Sequence, residues 1–164
     1  MRSSPGPKRA MPPEDGATGE DAHFRALESL YRSAPINGGF ESEIEIVEAG
    51  LARIRFTVEE RHFHAANAAH GTLYFKMMDD AAFYACNSRV SDRFLLTTAF
   101  NLVFSRPLKQ GSAIAEGRWI SGKRRVLIGE ARLIDADGEE AARGTGTFMR
   151  SHIALSGLPG YRGG

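Results

Sequence analysis

The sequence predicts an α+β fold in which a curved antiparallel β-sheet wraps around a long central α-helix. Six runs of residues alternate between apolar and polar side chains, as half-buried strands do. Between the second and third runs lies a helical segment whose apolar residues occur nearly all round, which indicates burial on most sides. The order helix, two strands, helix, four strands leaves one economical packing, with the sheet curled around the second helix.

The elements follow one another with short connections rich in glycine, proline and asparagine. Asp21 is suited to cap a first helix, Ala22–Ser33, whose apolar residues recur at helical spacing. Two alternating runs that meet around Gly50 predict a hairpin. The predicted strands are Phe40–Glu48, Leu51–Glu59, Arg93–Arg106, Ser112–Ile120, Arg124–Asp135 and Glu139–Met149, and the second helix is Gly71–Ser88.

The chain is expected to form one folded domain with a tail at each end. Residues 1–20 are rich in proline, glycine and charge, which predicts a disordered N-terminal tail. Residues 21–155 are expected to form the domain, and residues 156–164 a flexible C-terminal tail. A sheet of about six strands leaves exposed edges, which edge-to-edge or face-to-face dimerisation would cover.

Composition excludes several classes of partner. The formal net charge of +1 gives no overall field that would favour nucleic acid or a membrane surface. No apolar run approaches the roughly 20 residues needed to cross a bilayer. The single cysteine, Cys86, rules out an internal disulfide framework, so we expect a reducing, cytoplasmic location and a small buried side chain.

The stretch His62–Ser88 is the most informative part of the chain. It joins a loop rich in histidine and asparagine to the central helix, which holds the adjacent carboxylates Asp79 and Asp80 among apolar residues. An ionised carboxylate away from water is costly unless it is paired or hydrogen-bonded. At the helix entry, residues 70–72, free backbone N–H groups can receive an anion or a polarised carbonyl oxygen. This layout is suited to acyl chemistry.

The spacing of these residues matches that of a known family. His70 and Gly71 begin the helix, Asp79 lies nine residues after the histidine, and the next predicted strand ends in Phe-Ser-Arg-Pro. Together with the small residues of the helix and the Ala-Cys-Asn-Ser at its end, the pattern resembles the hotdog-fold acyl-CoA thioesterases. The branch it resembles is the PaaI-like branch of the phenylacetate pathway, over about residues 40–150.

Two positions differ from the family pattern. Thr72 stands where the family has a second glycine, and its side chain narrows the approach to the helix terminus although the backbone N–H remains. His64 stands where the family commonly has an asparagine. The nearest asparagine is Asn67, which is a candidate to orient the substrate carbonyl or the attacking water; a plain turn asparagine is the alternative.

The resemblance implies a mechanism for thioester hydrolysis. Family members use a helix N-terminal N–H as the oxyanion donor and an acidic side chain as general base or nucleophile. Here the donors would be the N–H groups of Gly71 and Thr72, and the acid would be Asp79. The alternative for Asp79 is a buried carboxylate that loop N–H groups or an arginine satisfy. Asp80, about 100° further round the helix, is expected to be structural or to contact a second copy.

Further candidates flank this pair. His70 would either orient the thioester or hydrogen-bond a neighbouring loop. Thr97 and Thr98 fall where related enzymes carry a hydroxyl that helps to hold water or base, and alternation places Thr98 on the apolar face and Thr97 on the other; strand propensity is the alternative. His62 and His64 would point the same way on a strand, but nothing completes a tetrahedral set, so no metal is expected.

Coenzyme A is expected as part of the substrate, with no separate cofactor. Its phosphates and adenine need basic groups, and several basic residues lie at strand ends or turns where they would line a channel mouth; a solvated charge cluster is the alternative. The substrate-binding candidates are His64, Arg106, Lys123, Arg124 and Arg125, with Lys109 beside them, and Phe75, Met78 and Phe83 for an acyl pocket that could equally be core.

Two functions of different classes remain open from the sequence. The first is an acyl-CoA thioesterase acting as a homodimer or homotetramer with sites at the subunit interface. The second is a non-catalytic acyl-CoA binding or sensor protein on the same fold, suggested by the departures at Thr72 and His64. A hotdog dehydratase is a third, weaker option, because that branch's acid and histidine pairing is missing. The acyl group, the pathway and the choice of dimer or tetramer are not encoded in any recognisable pattern.

Overall fold

A computed structural model describes residues 19–163, so most of the predicted N-terminal tail, residues 1–18, lies outside it. Within this range the elements follow the predicted order. The helices are α1 (Gly19–Ser33) and α2 (Gly71–Asn87), and the strands are β1 (Ser42–Glu48), β2 (Leu51–Val58), β3 (Arg93–Phe104), β4 (Gly111–Ser121), β5 (Val126–Ile134) and β6 (Glu140–Ala154). Short 3-10 turns occupy Pro35–Gly39, Glu60–His62 and Leu155–Gly157.

The six strands form one antiparallel sheet in the order β1-β2-β4-β5-β6-β3. Helix α2 packs on the inner face of this sheet and contacts its strands from one edge to the other. Eleven of its seventeen residues are buried, as a helix apolar on most sides requires. The predicted α+β fold, a curved antiparallel sheet around a long helix, is therefore confirmed.

Glycines let α2 lie directly against the middle of the sheet. A Cβ atom at Gly117 of β4 would lie 2.1 Å from the backbone C and O atoms of Ala81, and one at Gly129 of β5 would lie 2.9 Å from the Cys86 sulfur. Ala81 and Cys86 are themselves fully buried. The small residues of α2 and the two strands thus fix the distance between helix and sheet, and with it the position of the helix entry.

Gly117→Ala is therefore expected to destabilise the fold by about 3 kcal/mol. The added methyl group meets backbone atoms of Ala81, which cannot rotate away, so α2 would have to move off the sheet. Urea unfolding gives the change in stability, and Gly38→Ala is the control because nothing lies within 4 Å of a Cβ there. Equal stability of the two variants would contradict close helix–sheet contact at Gly117.

The two edges of the sheet differ. Helix α1 covers the β1 edge, where the Ile46 N–H donates to Glu28 Oε1 (2.8 Å) and Arg25 donates to the Ile46 carbonyl (3.2 Å). At the other edge, β3 is twelve residues long and exposes Val103 and Phe104, which are 65% and 55% accessible. A long edge strand with exposed apolar side chains is suited to pairing with another chain.

Several element ends differ from the sequence prediction. Helix α1 begins at Gly19, three residues before the predicted start, and β6 continues five residues beyond Met149. Within the segment predicted to be a flexible C-terminal tail, Tyr161 Oη lies 2.6 Å from His23 Nδ1 on α1. Local propensity does not show this contact, because its two partners are 138 residues apart. Neither helix of the described range has the length and apolarity needed to cross a membrane.

Candidate active site

The entry of α2 is built by a histidine cap. His70 is the N-cap residue, with extended backbone angles (φ −65°, ψ 145°), and its Nδ1 accepts the backbone N–H of Thr72 at 3.1 Å. The same nitrogen lies 3.0 Å from the Thr72 hydroxyl. The His70 side chain therefore hydrogen-bonds the first turn of its own helix and not a neighbouring loop, and it engages one of the two predicted oxyanion donors.

Gly71 is the first residue of α2, where a backbone N–H has no acceptor within the helix. It borders an open cleft of about 440 Å³ whose other walls include Tyr74, Phe104 and Arg106. The Phe104 ring lies over Gly71, 3.1 Å from where a Cβ atom would be. The cleft therefore brings Gly71 together with two predicted substrate-binding residues, His64 and Arg106.

Asp79 faces β3, two turns further along α2. The Thr97 hydroxyl donates to Asp79 Oδ1 at 3.0 Å. Burial raises the pKa of the Asp79 carboxyl to about 6, and neighbouring Asp80 raises it further, while Thr97 and Lys76 act in the opposite direction. A carboxyl with a pKa near neutrality and a hydroxyl that orients it are the properties of a general base.

The prediction for the two threonines was wrong in orientation. Thr97 faces Asp79, whereas Thr98 is exposed and donates to the Thr147 carbonyl at 3.1 Å. The cause is a register shift between Thr97 and Ala99, where β3 has one residue more than its partner β6. A bulge of this kind exchanges the faces of a strand, so the predicted apolar face holds for Phe100 beyond the bulge but not for Thr98 before it.

The raised pKa of Asp79 predicts a pH-dependent difference in stability. A folded-state pKa of about 6, above the ordinary 3.8, means that the stabilising contribution is present below 3.8 and is lost as pH rises through 6. Asp79→Asn, which stays neutral, should have the same free energy of unfolding as the wild type at low pH. At pH 8 it should be about 1–2 kcal/mol more stable, after allowance for partial exposure. Urea unfolding across this pH range checks the prediction, and a difference in stability that does not change with pH would contradict it.

Asp80 points away from Asp79 and forms an ion pair with Lys76, one turn earlier in α2. Lys76 Nζ also donates to Asn37 Oδ1 at 2.6 Å and lies over the rings of Tyr31 and Phe40. Burial raises the pKa of Asp80, and Lys76 opposes this. Within one chain Asp80 thus helps to link α2, through Lys76, to the turn after α1, which is the first of the two roles expected for it.

The predicted acyl-pocket residues separate into two groups. Met78 is fully buried, and Phe83 is packed against Phe94 and Phe148, so both belong to the core within this chain. Phe75 is 44% exposed and lies edge-to-face with Phe100 of β3 at 5.7 Å between ring centroids. Only Phe75 presents an apolar surface beside Asp79, at the β3 edge.

The predicted basic residues are likewise divided. Arg106 borders the cleft at Gly71, where its guanidinium lies 3.6–3.7 Å from Glu139 and Asp135. The turn with Lys123, Arg124 and Arg125 leads into Val126. Val126 pairs with Met149 of β6, which in turn pairs with the first part of β3. Phe104, which lies beside Gly71, is at the opposite end of β3. Within one chain these three cations lie at the far end of the sheet from Gly71.

The loop before α2 contains turns rather than a strand, so its histidines do not form the pair that the spacing suggested. His62 Nδ1 accepts the Glu59 N–H at 3.0 Å, and His64 Nδ1 accepts the Ala66 N–H at 3.0 Å. Asn67 has a positive φ of 61°, which suits asparagine in a tight turn. Across residues 19–163, no group of three or more His, Cys, Asp or Glu is placed to hold a metal ion.

Three residues near the site were not identified from the sequence. Tyr74 Oη donates to the Arg106 carbonyl (2.8 Å) and accepts the Leu108 N–H (2.6 Å), which fixes the β3–β4 connection over α2. Phe104 was counted only as an apolar strand residue. The four-residue spacing of Lys76 and Asp80 on a helix was the one feature of the sequence that indicated an ion pair for Lys76.

Cys86 is buried, which raises its thiol pKa to about 12, as expected of a core residue.

Gly71 and Asp79 lie well apart on α2. Asp79 is eight residues after Gly71, a rise of about 12 Å along the axis. Gly71 has Phe104 over it at the end of β3, and Asp79 has Thr97 beside it near the middle of the same strand.

Comparison with known proteins places this geometry in context. A family model described as the thioesterase superfamily matches residues 66–142, a range that holds Gly71, Asp79 and Thr97. Two proteins whose names contain the word esterase, from Saccharolobus solfataricus and Sulfurisphaera tokodaii, are 26% and 25% identical to this chain over 107 residues. The matched region is 65% of this chain in both cases, and 71% and 80% of those proteins.

Solved structures share the fold. The PaaI protein from the phenylacetic acid degradation operon of E. coli is 18% identical, with a TM-score of 0.76 over 82% of this chain and 97% of that chain. A mutant thioesterase from Pseudomonas aeruginosa is 17% identical, with a TM-score of 0.69 over 80% and 94%. At these identities the comparison establishes the architecture, and the chemistry has to be argued from the residues.

Proposed function

We propose that this chain, which has the hotdog fold and matches the thioesterase-superfamily model over residues 66–142, hydrolyses an acyl-CoA thioester to a free acid and coenzyme A. The match to the family model supports a hydrolase role in general terms. The substrate class and the residues below are the proposal. The observation that carries it is the pairing of a half-buried Asp79, with its pKa near 6, and an oriented hydroxyl from Thr97.

In the proposed reaction the thioester carbonyl accepts the Gly71 N–H at the start of α2. The helix dipole and this N–H stabilise the negative charge that develops on the oxygen. The Asp79 carboxylate, as general base, takes a proton from water while the water oxygen attacks the carbonyl carbon. Collapse of the tetrahedral intermediate breaks the C–S bond, and the proton held by Asp79 passes to the leaving sulfur, which releases coenzyme A and restores the carboxylate. A direct attack by Asp79, with later hydrolysis of the anhydride, uses the same groups.

The site is proposed to form between two copies of the chain. Gly71 and Asp79 are too far apart on α2 to serve one carbonyl, and β3 is an edge strand with exposed Val103 and Phe104. Pairing of two β3 edges around a twofold axis would bring the Gly71 cleft of one copy toward Asp79 of the other. Phe75, exposed beside Asp79, would then border the acyl group. A homodimer is the minimal assembly, and a homotetramer would contain the same pair.

Arg106 is the proposed contact for coenzyme A within the Gly71 cleft, together with His64. The cations Lys123, Arg124 and Arg125 contribute under this proposal only from a second copy, since they lie far from Gly71 in their own chain. Under this proposal neither metal nor separate cofactor takes part. An exposed Arg106 that already faces Glu139 and Asp135 is a modest binder, so the thioester itself is expected to supply much of the affinity.

Release of free thiol from a panel of CoA thioesters tests the proposal. Phenylacetyl, benzoyl, short aliphatic and medium aliphatic esters would be compared, and mass measurement would identify free acid and coenzyme A as products. Turnover of any ester supports the proposal and begins to define the acyl group. An assembled, folded protein that turns over none of them contradicts it.

The second candidate, an acyl-CoA binding protein without activity, is favoured by one observation. The Thr72 N–H donates to His70 Nδ1, so only the Gly71 N–H of the predicted pair faces the cleft without a cap. A site with one donor would hold a thioester and accelerate its hydrolysis less. Thermal stabilisation by the same esters without release of thiol would support this candidate.

A further inference from the structure

A second cavity lies on the opposite side of the α2 entry from the Gly71 cleft. It measures about 460 Å³ and is bounded by the turn after α1, the loop before α2 and the first two turns of α2. Its apolar walls come from Ile36, Phe40, Phe63 and Leu73. A space of this size with mostly apolar walls is typical of a site for a small molecule.

Five polar side chains line this cavity. Arg61, His62, His70 and Lys76 present nitrogen atoms, and Thr72 presents a hydroxyl. Glu59 pairs with Arg61 and Asp80 pairs with Lys76, but these two carboxylates are not part of the lining. The charges are therefore balanced overall, while the groups that face the cavity favour a ligand with acceptor oxygens.

His62 provides a specific unmet hydrogen bond. Its Nδ1 accepts the Glu59 N–H at 3.0 Å, so the proton of the neutral ring is on Nε2. That Nε2 is buried and has no hydrogen-bond partner among the described residues. The ring is held in place, because it stacks on Phe40 with 5.5 Å between centroids. A buried N–H without an acceptor is unusual in folded proteins and marks a place where another group binds.

Lys76 contributes a second fixed donor. Asp80 and Asn37 occupy two of its three N–H groups, and its Nζ lies 5.4 Å from the centre of the Phe40 ring. A side chain held by two acceptors and two rings loses little freedom when it meets a ligand. Lys76 and His62 are thus both held in place against the Phe40 ring.

We propose that this cavity binds a small organic carboxylate with an apolar body. The carboxylate would accept from His62 and Lys76, and the body would lie against Ile36, Phe63 and Leu73. This site differs from the proposed reaction site, since Gly71 and Asp79 face β3 while these residues face α1 and the turn that follows it. The inference goes beyond the proposed function, and binding can be measured without turnover.

Calorimetric titration of the full chain with phenylacetate and with hexanoate tests the proposal, with phenylacetamide as the uncharged comparison. Ile36 is 62% exposed at the cavity wall, so a change there should leave the fold intact. Ile36→Glu is expected to weaken binding of the acids about tenfold and Ile36→Lys to strengthen it several-fold. Neither change should alter the affinity for phenylacetamide.

Two further variants separate this cavity from other sites. His62→Asn keeps an oxygen at the position of Nδ1 to accept the Glu59 N–H and removes Nε2, so it should fold and bind the acids more weakly. Val47→Glu adds the same charge as Ile36→Glu on β1, outside this cavity, and should bind as the wild type does.

Binding that is lost in Asp79→Asn but kept in Ile36→Glu and His62→Asn would place the acid in the reaction site and overturn the proposal. Absence of binding at millimolar acid would overturn it as well. Neither result depends on whether the protein hydrolyses a thioester, so the proposed function stands or fails separately.

Discussion

Replacing Asp79 with asparagine is expected to lower kcat by a factor on the order of 10²–10⁴ while the chain stays folded. Asparagine has nearly the shape of aspartate and still accepts a hydrogen bond from Thr97, which lies 3.0 Å from Asp79 Oδ1. It cannot take a proton from water. The variant therefore removes the proposed chemistry and leaves the packing of α2 against β3 unchanged.

Asp80→Asn is the matched control, because it makes the same change at the next residue. Asp80 holds Lys76 and has no contact with the proposed reaction site, so this variant should keep its activity. It should instead lose about 2 kcal/mol of stability, since Lys76 would remain as a largely buried cation without its partner. Asp79→Asn is expected to be inactive and more stable at pH 8, and Asp80→Asn active and less stable.

The two variants would be compared by thiol release and by urea unfolding on the same preparations. The pH profile of the wild type adds a third measurement, because the base form of Asp79 increases as pH rises through about 6. Activity should rise over the same interval in which the stability advantage of Asp79→Asn appears. An Asp79→Asn enzyme that retained wild-type turnover would remove this carboxylate from the mechanism.

Hydrophobic periodicity was sufficient to predict the fold, and its failures have local causes. The apolar surface of α2 and the alternating runs gave the order of elements and the burial of the second helix. Alternation failed in β3, where the bulge after Thr97 places Thr97 on the same side of the sheet as Phe100 and Phe104 and turns Thr98 away. The sequence pattern does not show a bulge of one residue, so only the folded structure reveals which threonine lies beside Asp79.

The candidate site shows a different limit. The spacing of His70, Gly71 and Asp79 located the N–H at the helix start and the carboxylate, because the geometry of a helix is regular and spacing along it gives relative position. It did not locate the turn at Lys123–Arg125, whose distance from Gly71 depends on how four strands are ordered in the sheet. Nor did it identify Lys76, whose partners Asn37 and Tyr31 come from another part of the chain. Contacts between distant segments are what periodicity omits.

Replacing Gly71 with proline is expected to reduce kcat by on the order of 10²–10³, because it removes the one uncapped oxyanion donor. The backbone is suited to this change. Gly71 is the first residue of α2, where proline is well tolerated, and His70 has the extended angles that a residue before proline adopts. The helix should therefore form normally without its first N–H.

Gly71→Ala is the control for crowding. It keeps the N–H and adds a Cβ atom that would lie 3.1 Å from the Phe104 ring, a contact that proline shares. Phe104 is more than half exposed, so its ring can turn away at small cost. Alanine should lose little activity and proline nearly all of it. Equal losses of activity in the two variants would show that steric crowding in the cleft lowers kcat and that the Gly71 N–H is not required.

Combining the two inactive variants tests whether the site is shared between copies. Asp79→Asn and Gly71→Pro would be unfolded, mixed in equal amounts and refolded together. In a mixed dimer one site has both defects and the other has neither, because Gly71 comes from one copy and Asp79 from its partner. With half of the dimers mixed, the sample should regain about a quarter of wild-type activity. If each site were contained within one chain, mixing would restore nothing, since every site would keep a defect. The 12 Å rise between Gly71 and Asp79 on α2 is why we expect recovery.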